Sequence, residues 1–156
     1  ITTASYQFRE KNLAVDVRLD DTIAPIMADA NGMMQVVGQL LTNAYLVSPE
    51  ISVVAISAEQ HSISKANNVA DTLIVAVRDS GGGIASDELD DVFSWRHRPD
   101  DHLVMGLGDT TVGLPIARAL IEAHGGRMWV ETVENVGTTF YFSLPLKTGV
   151  EKTNAS

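Results

Sequence analysis

The stretch Thr72–Gly83 reads TLIVAVRDSGGG, a run of β-favouring apolar residues followed by an aspartate and three consecutive glycines. A short run that is almost wholly apolar is typical of a central strand. Glycines permit positive φ and let the backbone approach a ligand closely. The Asp79 carboxylate at the strand end could accept a hydrogen bond from an exocyclic amine such as that of adenine. A glycine turn capped by Asp79 has the same sequence pattern.

Helix and strand patterns lie on both sides of this strand. Residues 30–47 have the i, i+3, i+4 apolar spacing of a helix. Ser48 ends it because a residue before proline avoids the α region. Strand patterns cover 13–19, 51–58, 127–132 and 138–144, helix patterns cover 86–93 and 113–124, and 61–71 has the composition of a loop.

This order predicts an α+β fold, a two-layer α/β sandwich whose mixed, mostly antiparallel sheet carries helices on one face. We expect the helix over 30–47 to pack on the sheet through Met33, Val37, Leu40 and Ala44.

The composition suits one domain, with 156 residues of which 45% are hydrophobic. We interpret 1–12 as the end of an upstream helix or linker, 13–146 as the domain and 147–156 as a tail. The net charge of −9 argues against nucleic acid as a partner, and the absence of cysteine excludes disulfides and thiolate metal sites. No apolar run approaches the ~20 residues that cross a bilayer. We therefore expect no membrane contact by this domain and a cytoplasmic location, whether or not the parent protein is membrane-bound.

A polar stripe borders the apolar face of the first long helix. Gln35, Gln39 and Asn43 are four residues apart and share one side of it. The Asn43 carbonyl oxygen suits a hard cation such as Mg²⁺, which also keeps waters and substrate phosphates. By itself the stripe is more typical of a solvated helix edge.

Two further segments have the composition of a ligand site. Gly106, Gly108 and Gly113 precede a helix start, where N–H groups and the helix dipole attract phosphate. The spacing is neither that of a Walker loop nor that of a Rossmann fingerprint. Thr138 follows Gly137 into the last strand, where its hydroxyl could lie at the rim of a ligand site or simply follow a hairpin glycine.

In their order along the chain, four segments resemble the N, G1, G2 and G3 boxes of the ATPase superfamily of gyrase B, heat-shock chaperones, MutL and histidine kinases. Within it the chain is similar to the catalytic and ATP-binding domain of sensor histidine kinases. The similar segments are 29–44, 77–84, 113–131 and 137–145.

The resemblance implies a Bergerat-type fold and the transfer of the γ-phosphoryl group of ATP to a histidine, mainly by positioning and charge neutralisation. It implies that Asn43 ligates Mg²⁺, that Gln39 lies beside it in the catalytic set, and that Asp79 binds the adenine amine. The other nucleotide-binding residues it implies are Gly81, Gly83, Ile84, Arg98, Gly106, Gly108, Gly113, Leu114 and Thr138. Residues 93–112 would form a lid over the ATP.

The implied partners are a histidine-bearing dimerisation domain of the same protein and a response regulator. None of the four histidines of this chain lies in a phosphoacceptor sequence, so the acceptor is expected outside it.

Departures from the family pattern leave a second function open. Gln39 stands where the family usually has asparagine, Leu46 where it has a phosphate-reaching lysine, and Asp109-Thr110-Thr111 where it has the first two G2 glycines. Arg96 or Arg98 could supply the missing cation from the lid. The alternative is a degenerate, pseudokinase-like module that binds nucleotide with little or no turnover. An ATP-hydrolysing clamp is disfavoured because the Gln39 amide cannot take a proton from water.

Overall fold

The computed structural model describes residues 2–65, 68–94 and 110–146. The helices are α1 (Thr2–Glu10), α2 (Ala30–Val47) and α3 (Thr110–Ala123), with a single 3-10 turn at Leu89–Asp91. The strands are β1 (Ala14–Leu19), β2 (Val53–Lys65), β3 (Asn68–Arg78), β4 (Arg127–Val133) and β5 (Gly137–Pro145).

The five strands form one sheet in the order β1-β2-β3-β5-β4. β1 runs parallel to β2, and the other neighbouring pairs are antiparallel. The predicted mixed, mostly antiparallel sheet is therefore confirmed. β3 lies at its centre, as its apolar sequence predicts.

Side-chain alternation along the strands gives the sheet one covered and one open face. The covered face packs against α2 and α3 and carries Val54, Val75, Val77, Phe140 and Phe142 in the core. The open face carries Ala55, Ala76, Trp129 and Tyr141. Because the helices of the described residues cover one face of the sheet, this part of the chain has the two layers that the sequence predicts.

α2 begins and ends at the predicted residues. The Asp29 side chain caps its start by accepting a hydrogen bond from the Gly32 amide at 2.9 Å, and the Ser48 amide donates to the Ala44 carbonyl at its end. Leu40 and Ala44 are buried, while Met33 and Val37 are half-buried against the same core. The expected packing face is confirmed, and it extends to Val36 and Gly32.

Gly38 lies on the exposed side of α2, where an added Cβ would meet no atom within 4 Å. Alanine is favoured over glycine in a helix interior by about 1 kcal/mol. Gly38→Ala is therefore expected to raise the free energy of unfolding by about that amount, measured by urea denaturation. Gly126→Ala is the contrasting variant, because its Cβ would overlap the Ser143 carbonyl oxygen. A Gly38→Ala domain no more stable than the parent would contradict the expectation.

The polar composition of 61–71 predicts a loop, and this prediction is wrong. β2 and β3 continue through the segment as a long hairpin that ends at the Lys65–Asn68 pair. The Ser62 hydroxyl donates to Asp71 Oδ1 across the hairpin at 2.6 Å. His61, Ser62 and Ala70 are exposed, so at these positions burial does not impose an alternating pattern on the sequence.

Two helix predictions also need correction. Of the helix predicted over 86–93 only the 3-10 turn forms, and this turn has no capping side chain and no buried residue to stabilise it. α3 begins at Thr110 and ends at Ala123, whereas the sequence predicts 113–124. Pro115 therefore lies in the second turn of α3 rather than the first.

His124 joins the end of α3 to the start of α2. Its Nδ1 lies 2.7 Å from the Leu120 carbonyl oxygen, and its Nε2 accepts a hydrogen bond from the Asp29 amide at 3.1 Å. The first contact satisfies a carbonyl at the helix end. The second draws together the two helices that cover the sheet.

Candidate nucleotide-binding site

Asp79 lies at the end of β3 and is only 3% exposed. Its Oδ1 accepts hydrogen bonds from the amides of Gly81 (2.9 Å) and Thr138 (3.1 Å), and its own amide donates to the Thr138 carbonyl at 2.9 Å. Among the described residues none donates to Oδ2. The fold therefore holds one carboxylate oxygen in place and leaves the other as an acceptor for a ligand.

Burial raises the pKa of the Asp79 carboxyl above its ordinary value, because removal from water disfavours the charged form. The hydrogen bonds from Gly81 and Thr138 and the positive charge of Arg78 lower the pKa without cancelling that effect. A buried carboxyl with a raised pKa makes Asp79 a candidate functional residue.

Two threonines line the strand ends beside Asp79. Thr138 is 4% exposed, and its hydroxyl lies 3.1 Å from that of Thr132. The Thr132 hydroxyl also accepts a hydrogen bond from the Ile84 amide at 2.9 Å and lies 3.3 Å from the Gly137 carbonyl oxygen. Thr132 is not among the site residues predicted from the sequence. Its register position directly opposite Thr138 in the β4–β5 hairpin is the signal that could have found it.

Gly81 and Gly83 bring the loop after β3 against two other elements. A Cβ on Gly81 would come within 2.9 Å of the Val47 side chain at the end of α2. Gly83 has φ 78°, and its Cβ would lie 2.7 Å from the Val133 carbonyl oxygen. Both positions therefore require glycine because neighbouring atoms of the protein leave no room for a Cβ. The additional contact with adenine remains a prediction.

The polar edge of α2 faces the beginning of α3. Gln39 and Asn43 are half-buried, and Gln39 Nε2 donates to Asn43 Oδ1 at 3.2 Å. A Cβ on Gly113 would overlap the Gln39 amide, so α3 approaches α2 at this point. The next residue, Leu114, is buried in the core. The Asn43 oxygen thus accepts a hydrogen bond from the Gln39 amide, and its second lone pair suits a cation.

The predicted lid is described only at its two ends. The Phe93 ring meets the edge of Phe140 at 6.1 Å between centroids, and the Arg118 guanidinium lies 5.4 Å from the Phe93 centroid. Arg98, Gly106 and Gly108 lie outside the described residues. The other predicted site residues fall into two groups, one around Asp79 and one at the α2–α3 contact. The packing of the Val47 side chain against Gly81 connects the first group to the end of α2.

Residues 28–148 match the family of histidine kinase-, DNA gyrase B- and HSP90-like ATPases. The chain belongs to this family. It is 32% identical over 139 residues to the sensor histidine kinase WalK of Bacillus subtilis (strain 168), covering 89% of this chain and 22% of WalK. It is 35% identical over 138 residues to the sensor protein FixL of Bradyrhizobium diazoefficiens, covering 88% of this chain and 25% of FixL. The catalytic domain of histidine kinase ThkA superposes with a TM-score of 0.72 at 25% identity, covering 93% of this chain and 87% of that one.

The chain spans only about a quarter of the length of these curated relatives. The match is to the ATPase catalytic domain of sensor histidine kinases, and ATP is the nucleotide that this domain family implies. The resemblance and the fold predicted from the sequence are both confirmed. In the part of the chain that the structure describes, none of the helices combines the length and apolar character needed to span a bilayer.

Nucleotide affinity is expected to fall as the solution is acidified, because the ionised Asp79 is the predicted acceptor for the adenine amine. When Asp79 is protonated, its free oxygen can carry the hydrogen and act as a donor, which cannot pair with the donor of the adenine amine. The decline should begin above the ordinary carboxyl pKa of 3.8, since burial raises the pKa of Asp79, and below that raised pKa it should approach tenfold per pH unit. Calorimetric titration of ADP across the acidic range measures it, with circular dichroism confirming the fold at each pH. An affinity that stays constant down to 3.8 would contradict the assignment.

Proposed function

We propose that this domain binds Mg²⁺-ATP and transfers the γ-phosphoryl group to a histidine on a dimerisation domain of the same protein. In that step an imidazole nitrogen forms a bond to the γ-phosphorus, the bond from that phosphorus to the β–γ bridging oxygen breaks, and ADP leaves. The imidazole proton goes to solvent. The phosphohistidine would then supply a response regulator. The observation that carries the proposal is the buried Asp79, held through one oxygen and open to a ligand at the other.

Asp79 provides a reason for selecting adenine. Its Oδ2 would accept a hydrogen bond from the exocyclic amine. The hydroxyl of Thr138, whose amide donates to Asp79 Oδ1, would assist. Guanine carries a carbonyl oxygen at the corresponding ring position, and a carboxylate repels it. A charge-assisted hydrogen bond contributes about 1.5–3 kcal/mol, which suffices to discriminate between the two bases.

The phosphates would lie toward the α2–α3 contact. The Asn43 oxygen fits a hard cation, so Asn43 would hold Mg²⁺, which neutralises phosphate charge when bound. Gln39 positions that oxygen through its 3.2 Å hydrogen bond. The N–H groups in the first turn of α3, which includes Gly113, would stabilise a phosphate anion. Arg98, Gly106 and Gly108 of the lid complete the proposed phosphate contacts.

Leu46 favours a second function, that of a degenerate nucleotide-binding or regulatory module. It supplies no positive charge on the turn that follows Asn43, where phosphate charge would have to be neutralised. Under this function ADP would bind about as tightly as Mg²⁺-ATP. No phosphoryl group would be transferred.

Phosphotransfer from γ-labelled ATP to a supplied histidine-bearing dimerisation domain separates the two functions. We expect labelling by the parent chain and a loss of roughly tenfold or more in Mg²⁺-dependent ATP affinity in Asn43→Ala, because the cation loses its protein ligand. Gln35→Ala is the matched control, since Gln35 is an exposed member of the same helix stripe. Nucleotide binding without labelling would support the degenerate module. Labelling that persists undiminished in Asn43→Ala would remove Asn43 from the mechanism.

A further inference from the structure

β1 is an edge strand whose outer side is unpaired among the described residues. The amides of Ala14 and Asp20 donate to the carbonyls of Ser52 (2.9 Å) and Ala58 (3.1 Å), so the even-numbered residues turn their backbone groups toward β2. Because successive residues alternate, the N–H and C=O groups of the odd-numbered residues 15, 17 and 19 point away from the sheet. A free edge of this kind pairs readily with another strand.

The same three residues expose apolar side chains. Val15, Val17 and Leu19 are 44%, 54% and 62% exposed. Their partners in β2 are Val54, Ile56 and Ala58, whose side chains belong to the covered face of the sheet. The apolar stripe therefore continues the covered face outward, past the area that the described helices bury. Apolar side chains beside unpaired backbone groups form a surface suited to strand addition.

This edge is complementary to itself in antiparallel register. When Val17 faces Val17 of a second copy, Val15 faces Leu19 and Asp16 faces Arg18. The odd-numbered residues, whose backbone groups point outward, then form the hydrogen-bonded pairs. Asp16 and Arg18 fall in the non-hydrogen-bonded pairs, in which opposed Cα atoms are about 4.5 Å apart and side chains are closest. The alternation of the backbone hydrogen bonds, the apolar pairs and the opposite charges therefore all favour this antiparallel register.

Asp16 and Arg18 already lie on the same face of the strand. Within one chain Arg18 Nη2 is 2.8 Å from Asp16 Oδ2, and the two side chains are 80% and 41% exposed, respectively. An exposed pair of this kind contributes little by itself. In the antiparallel register each of the two side chains meets the opposite charge of the second copy, and the two-fold axis makes the pair occur twice.

We propose that the β1 edge binds the β1 edge of a second copy of this chain, forming one continuous sheet across two domains. The occupant is a second copy because the strand matches itself in both charge and apolar pattern. The contact is one short strand wide, so the dimer should be weak and its population should rise with protein concentration.

Charge reversal tests the register. Asp16→Arg brings like positive charges face to face, and Arg18→Asp brings like negative charges face to face. The double variant Asp16→Arg/Arg18→Asp restores opposite charges across the strands. By sedimentation equilibrium we expect each single reversal to weaken dimerisation about tenfold and the double variant to recover it. A parent chain that stays monomeric at every concentration overturns the proposal, and so does a double variant no better than the singles.

Single cysteines give a second test, because the chain has none of its own. Val17→Cys would face itself across the two-fold axis with Cα atoms about 5.5 Å apart, a separation that a disulfide spans. Val15→Cys is the matched control on the same face, since it would face Leu19. We expect several-fold more oxidised dimer from Val17→Cys on denaturing, non-reducing gels, with circular dichroism showing both variants folded. Equal cross-linking at the two positions overturns the register.

Discussion

Asp79→Asn is expected to weaken adenine-nucleotide binding by about ten- to a hundredfold and at the same time to make the unliganded domain more stable. The binding loss follows from the free oxygen of the carboxylate. Asparagine can keep its single oxygen where Oδ1 accepts from Gly81 and Thr138, and its amide nitrogen then occupies the position of Oδ2. A donor there faces the donor of the adenine amine, so a charge-assisted hydrogen bond is lost.

The gain in stability follows from the raised pKa of Asp79. A carboxyl whose pKa is higher in the folded state binds its proton more tightly there. Its favourable contribution is therefore complete below the unfolded value of 3.8 and is lost as the pH rises through the folded pKa. At neutral pH the desolvation of the ionised Asp79 lowers the free energy of unfolding. Asparagine is uncharged and does not have this desolvation cost.

Calorimetric titration of ADP measures the first effect, and urea denaturation at neutral pH measures the second. In strongly acidic solution the difference in stability between variant and parent should shrink, because both side chains are then uncharged. Asp90→Asn removes an exposed carboxylate nearby and should change neither quantity. Unchanged affinity in Asp79→Asn would mean that the adenine amine lies elsewhere. Lowered stability would mean that the hydrogen bonds to the carboxylate outweigh its desolvation.

Gly137→Ala is expected to destabilise the domain by about 2–6 kcal/mol and to weaken nucleotide binding with it. Gly137 has φ 153°, a conformation that costs other residues about 1–3 kcal/mol. Its Cβ would also overlap the carbonyl oxygen of Asp79, and such overpacking costs a similar amount. The strands cannot separate to make room, because the Asp79 amide and the Thr138 carbonyl are hydrogen-bonded at 2.9 Å beside this position.

Gly82→Ala is the matched control for Gly137→Ala. Gly82 lies in the loop after β3, but a Cβ there would meet no atom within 4 Å, so we expect its stability to change by less than about 0.5 kcal/mol. Urea denaturation compares the two variants, and ADP titration follows the site. A Gly137→Ala domain as stable as the parent would show that the Asp79 loop can move without cost. The site would then be less preorganised than its hydrogen bonds indicate.

Local chemistry by itself determined the elements that need no distant partner. The side chain of Asp29 caps α2, and the Ser48-Pro49 pair ends it, so both bounds of that helix follow from nearby residues. The apolar run before Asp79 identified the central strand because a strand with neighbours on both sides has little water to face. The order of the segments 29–44, 77–84, 113–131 and 137–145 identified the family through their resemblance to its four boxes.

Only the tertiary structure decided the features that depend on residues far apart in the chain. The polar segments 61–65 and 68–71 become strand because their backbone groups pair with each other, and no local pattern encodes that pairing. Thr132 joins the site through its register opposite Thr138. The start of α3 packs against Gln39 at Gly113, although the two residues lie far apart in the chain. Close approaches of this kind are properties of three-dimensional packing, so the position of Gln39 and Asn43 beside the start of α3 followed only from placing the two helices together.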